Sequence, residues 1–142
     1  MPVTLHFYDN GVVLRHTGLI TDKELIHAEN EIYSHDYPEM LHFQIVDLSD
    51  VTDFRVSQDT MRYLGQKDNA MAKILTRQHI VVVAPKNSRI KTIIWQSWAQ
   101  EEKTDEPNIL TEIVDSIIEA KRWLKNYGIE IPSEPPTPDT GT

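Results

Sequence analysis

The run "HIVVVAP", residues 79–85, constrains the fold more than any other stretch of the chain. Ile80 to Val83 are all β-branched and offer no polar face, so a strand made from them must be covered on both sides. Pro85 has no amide to give to a ladder and stops the strand. Strands covered on both faces belong to parallel sheets, and helices supply the cover.

The rest of the chain provides those helices. "TDKE", residues 21–24, is a capping box, and Leu25, Ala28 and Ile32 follow at helical spacing. They predict a helix over about 22–35, closed by Pro38. A second helix is predicted from Ser57 to about Leu75, with Met61, Leu64, Met71, Ile74 and Leu75 inward. Gly65 weakens it by about 1 kcal/mol relative to alanine. A third is predicted from Ser88 to Glu102 on Ile90, Ile93, Ile94 and Trp98. "SIIE", residues 116–119, opens a fourth, which runs through Tyr127 and ends at Gly128.

Four further strands complete the pattern. "TLHFYD" and "VVLRHTGLI" are joined by "DNG", residues 9–11, where Asn10 and Gly11 tolerate positive φ. "LHFQIVDL", residues 41–48, reads as a central strand, and "EPNILTEIV" contains a short edge strand. The order β-β-α-β-α-β-α-β-α predicts an α/β fold: a mixed or mostly parallel sheet of four to five strands with about four packed helices. One domain is expected over residues 1–128. Residues 129–142 hold four of the eight prolines and few apolar side chains, so a disordered tail is expected there.

Composition narrows the functional classes. The 142 residues carry a formal net charge of −8, and the longest basic cluster is "KRWLK", residues 121–125. Such a surface repels a phosphate backbone, which argues against nucleic-acid binding. The absence of cysteine excludes disulfides and cysteine-bound zinc. "MPVTLHFYD" lacks the form of a signal peptide, and no apolar run approaches the roughly 20 residues of a membrane span. A soluble cytoplasmic protein is the expectation.

Three segments, in the right order on this string of elements, resemble one family. "VDLSDVTDF" is similar to the strand-to-helix segment of STAS domains, the sulfate-transporter and anti-sigma-factor-antagonist superfamily. "EAKRWL", residues 119–124, resembles the ending of its SpoIIAA-like branch, and "GVVLRHTGLITDKEL" fits its early strand, glycine and capped helix. The resemblance spans roughly residues 3–127. It implies a small α/β sandwich with helices mostly on one side of the sheet. It also implies binding to a protein partner rather than catalysis, with a serine at the start of the helix after "DLS" open to phosphorylation. Related CRAL-TRIO-type folds bind lipids in a cavity.

The regulatory pattern of that family is only partly present. Asp47, Leu48, Ser49 and Val51 match it, whereas Asp50 replaces a glycine. Farther on, Arg55, Val56 and Gln58 replace an acid, a serine and a glycine, and Ser57 alone matches. Ser57 is thus the one candidate phosphosite, with Arg55 and Arg62 near a helix N-terminus; an ordinary N-cap explains the same serine. Ser49, Asp50, Asp53, Arg55 and Ser57 form the candidate interaction surface for a protein partner or a second copy of the chain. Asp47, Asp50 and Asp53 all come from one stretch, unlike magnesium sites assembled from separate strand ends, so no metal is expected. Asp47 is expected to satisfy local amides, and Asp50 and Asp53 to make turns. His6 and His16 lie on the hairpin, and His42 and His79 begin central strands. None shows metalloprotease spacing, and no nucleophile elbow, dinucleotide motif or Walker motif is present, so no catalytic residue or cofactor is expected. Ile94, Trp95 and Trp98 mark a candidate apolar pocket on the third helix for a small apolar ligand or lipid.

Overall fold

The computed structural model describes residues 3–34, 41–72, 78–84, 89–94 and 109–131. Strand β1 (Val3–Tyr8) and β2 (Gly11–Thr21) form an antiparallel hairpin. Helix α1 (Asp22–Tyr33), β3 (Phe43–Arg55), α2 (Gln58–Ala72) and β4 (Gln78–Val83) follow. Then come α3 (Arg89–Ile94), β5 (Ile109–Val114) and α4 (Ile117–Lys125). The sheet order is β1-β2-β3-β4-β5, with every pairing after the hairpin parallel. This is the predicted α/β architecture, and its element order is consistent with a STAS-like fold. No described helix is long and apolar enough to cross a membrane.

The β-branched run sits where its composition requires, with Ile80 to Val83 all buried. Ile80 and Val82 face a core shared with Met61 and Leu64 of α2, and Ile90 of α3 packs against the same cluster. Val81 and Val83 face the opposite side, where Phe43 and Ile45 meet Ala120 and Leu124 of α4. A third cluster joins Val12 and Leu14 of β2 to Ala28 and Ile32 of α1. Alternation along β2 therefore places Val12, Leu14 and His16 toward α1 and α2.

The helix ends follow the local chemistry. At α1, the Thr21 amide donates to Glu24 Oε2 at 3.4 Å, the acidic half of the predicted box. At α4, Ser116 Oγ accepts from the Glu119 amide at 3.2 Å, while Glu119 reaches back to the amide of Asp115 rather than Ser116. Gly128 has φ +78° and ends that helix, as expected. Ile129 and Ile131 then pack against the core cluster under α4. Residues 132–142, most of the expected tail, lie outside the described residues.

Two features depart from expectation. The hairpin turn is Asp9–Asn10, and Gly11 is the first paired residue of β2, opposite Tyr8, without a left-handed φ. Its lack of a side chain matters for another reason, which is the ring of Phe43 lying against it. Strand β3 does not end at 48 but continues to Arg55, and β2 runs with it to Thr21. The register slips twice, between Arg15 and Thr17 and between Gly18 and Leu19, and each slip inserts one extra residue into β3. The inward residues at this end of β3 are therefore Leu48, Val51 and Phe54, three apart instead of two. Gly18, at φ +69°, lies at the second slip.

Candidate functional site

The residues of "SDVTDFRVS" come together at one end of the sheet, on the β2–β3 extension and the start of α2. Asp47 Oδ1 accepts from the amide and hydroxyl of Ser49 at 2.9 and 2.6 Å, so Asp47 satisfies local donors as expected. Asp50 and Asp53 do not make turns. They lie within β3, where Arg15 donates to Asp50 at 2.7 Å and Arg55 to Asp53 at 2.9 Å. These ion pairs are exposed and each contributes little to stability.

Ser57 is the N-cap of α2. Its Oγ accepts from the Thr60 amide at 3.1 Å, and its own amide donates to Asp22 Oδ1 at 2.8 Å. The carboxylate of Asp22 thus stands beside the serine, Arg55 is held by Asp53, and Arg62 meets Asp59 at 3.4 Å. The side chain of Ile94, and Trp95 and Trp98, lie outside the described residues.

A cavity of about 60 Å³ lies between the sheet and helices α1 and α2. Its walls include Leu14, Val46 and Val82 from the sheet and Ile32, Met61 and Leu64 from the helices. Leu48 and Phe54 also line it, so the bulged end of β3 helps to enclose it. Among the described residues, three polar side chains interrupt this lining: His16, Glu29 and Asp68.

Their positions explain both how they are held and what they lack. Asp68 is 3% exposed and accepts from the Tyr33 hydroxyl at 2.6 Å. Gln44 Nε2 donates to the same hydroxyl at 3.5 Å, and the Glu29 carboxyl is hydrogen-bonded to Asp68. Lys67 lies 5.8 Å from the centre of the Tyr33 ring and donates to Asn30 at 2.7 Å. His16 is fully buried, and neither of its ring nitrogens has a partner; Glu29 Oε1 is sealed from solvent and also without one.

Burial dominates the electrostatics. It lowers the His16 pKa to about 4, against a smaller opposing pull from the Asp47 charge, so the imidazole is neutral at pH 7. Burial also pushes the Glu29 carboxyl well above its ordinary value, reinforced by Asp68 and opposed by Lys67. The Tyr33 phenol is likewise raised well above 10, first by burial and then by Asp68, so it remains a donor. The site therefore offers a neutral imidazole, with one donor and one acceptor, and a Glu29 carboxyl whose buried Oε1 has no partner.

Two expected outcomes follow from this geometry. Tyr33→Phe deletes a bond to a buried carboxyl, and a loss of about 1.5 kcal/mol in urea unfolding is expected. A change within experimental error would show that Asp68 does not depend on the phenol. Glu29→Gln keeps a donor toward Asp68 but removes the ionisation. The contribution of the raised Glu29 carboxyl is fully present below about pH 4.5 and is lost as pH rises through its folded-state value. The glutamine variant should therefore gain on the parent as pH rises from 4.5. Parallel stability curves over that range would refute the assignment.

The sequence reading missed this cluster, although a signal was present. Asp68 follows Leu64 by four, and Glu29 follows Leu25 by four, so both carboxyls occupy apolar-stripe positions. His16 likewise continues the alternation of Val12 and Leu14. Among the described residues, no group of three or more ligating side chains is arranged to hold a metal ion. No family model matches the chain, and neither a curated protein nor a solved structure matches it.

Proposed function

We propose that this chain is a non-enzymatic STAS-type binding domain that acts by contact with a protein partner at the β2–β3 extension. The observation that carries this reading is the incomplete pairing at that end. Strand β1 pairs with β2 only through His16, and β4 pairs with β3 only from Phe43 to Asp47. Among the described residues no strand borders Thr17–Thr21 of β2 on its outer side, or Leu48–Arg55 of β3 on its own. Edge backbone of this kind is a template for added strands, and Leu19, 42% exposed, lies within it. Ser49, Asp50, Asp53, Arg55 and Ser57 surround the same edge. The domain works without a phospho-serine switch: a phosphate on Ser57 would face Asp22, and the two nearby arginines are engaged.

Affinity purification from the native cells, with parent and a Leu19→Asp/Asp50→Lys variant side by side, tests the surface. Recovery of the partner, or of a second copy of the chain, should fall at least tenfold in the variant. Equal recovery with both baits would place the contact elsewhere. A Ser57 phosphopeptide in protein from those cells would overturn the switch-free reading.

The cavity supports a second reading, a binding domain for a small molecule. It lies under α1 and α2, while the face expected from the sequence, the Ile94 side chain with Trp95 and Trp98, lies outside the described residues. At about 60 Å³ it is smaller than the roughly 150 Å³ cavity that admits benzene, so a lipid chain does not fit its present form. A compact ligand does.

A further inference from the structure

We propose that the cavity beneath α1 and α2 binds a compact, uncharged molecule carrying both a hydrogen-bond donor and an acceptor, such as a hydroxyl or primary amide, on a short hydrocarbon body. This rests on the small-molecule reading of the cavity and adds the class of ligand. The walls are almost wholly apolar, which suits a hydrocarbon body and leaves an isolated charge without solvation. Three buried polar atoms in residues lining it have no partner: both ring nitrogens of His16 and Oε1 of Glu29.

Those atoms define the complement. A neutral imidazole presents one N–H and one lone pair, and Glu29 Oε1 presents an acceptor. A hydroxyl can accept from the imidazole and donate to the carboxyl, and a primary amide can do the same with a proton to spare. An aliphatic hydrocarbon would leave the three polar atoms unsatisfied, as they are now. An ammonium would meet in Asp68 a carboxylate that already accepts from the Tyr33 hydroxyl and is bonded to Glu29. Among the described residues no arginine or lysine lines it, so an anion finds no counter-charge among them. A volume of about 60 Å³ admits roughly three to five non-hydrogen atoms. At four atoms the ceiling on efficiency limits Kd to about 40 µM at the tightest.

Titration of the full chain with propan-2-ol, acetamide, propylammonium and xenon, followed by methyl and amide NMR, tests the class. Saturable shifts at Leu64, Ile80 and Val82 with propan-2-ol or acetamide are expected. Affinity should weaken at least tenfold in His16→Leu, with xenon binding retained. If His16→Leu fails to fold, Glu29→Leu serves in its place, with the same tenfold loss expected. Xenon binding without saturable binding of either polar probe would leave a small-molecule cavity but overturn the ligand class. Tighter binding of propylammonium than of propan-2-ol would overturn the neutral class. No binding by any probe, with ordered water on His16 and Glu29, would overturn both the class and the small-molecule reading beneath it.

Discussion

Gly11→Ala is expected to remove about 3 kcal/mol of folding stability, read as a lower urea midpoint at unchanged slope. A Cβ on residue 11 would lie 2.2 Å from two atoms of the Phe43 ring, far inside van der Waals contact. Phe43 is fully buried between the sheet and α4, among Ile45, Val81 and Leu124, so the ring has no free direction in which to retreat. The shift must pass to the backbone of β2 or β3, and His42, next to Phe43, is tied by its amide to Asn10 at 2.8 Å. Phe43→Leu in the same background supplies the internal check, since a smaller side chain removes the clash while leaving its own cavity cost. The double variant should be more stable than the sum of the two single changes by at least about 1 kcal/mol. Strict additivity would show that Gly11 is needed for some reason other than the ring.

How much of this was legible in advance depends on which physical signal each segment carried. "HIVVVAP" announced a strand covered on both faces, because four β-branched residues leave no solvated side. The capping sequences at Thr21 and Ser116 marked two helix starts, because capping is local chemistry within four residues. The end of β3 was not legible. Two bulges change its inward spacing from two to three, so Leu48, Val51 and Phe54 lose the alternation that identifies a strand. Asp50 and Asp53 then looked like turn residues, although both belong to a paired strand. Gly11 pointed to a turn because glycine commonly serves turns, whereas its role depends on a ring 32 positions away in the chain. The His16, Glu29 and Asp68 cluster was visible only as three interruptions of apolar patterns on separate elements. Tertiary packing brings them to one cavity, and no local pattern encodes that meeting.

His16→Leu is expected to stabilise the protein by about 1–2 kcal/mol at pH 7, with a larger gain in acid. At neutral pH the imidazole is fully buried with both nitrogens unpartnered, and leucine removes that desolvation cost while filling a similar space. The acid effect follows from linkage. The folded-state pKa is about 4, against 6.5 for the free side chain. Between those values the unfolded chain binds the extra proton, so parent stability falls as pH drops from 6.5 and the loss is complete below 4. The shift corresponds to about 3 kcal/mol, which the leucine variant does not lose. Glu29 acts in the opposite sense, since its contribution is fully present below 4.5 and lost as pH rises, and it is common to parent and variant. The Asp47 charge and the Asp68 pair also remain in both proteins. The difference between the two urea-derived stability curves therefore isolates His16, and it should rise as pH falls from 6.5 to 4 and then level off. A difference that does not vary with pH would mean that the imidazole titrates as if exposed. A variant less stable than the parent at pH 7 would show that the buried ring has a partner in solution. Water or a bound molecule in the cavity would then be holding a histidine that the apolar walls alone disfavour.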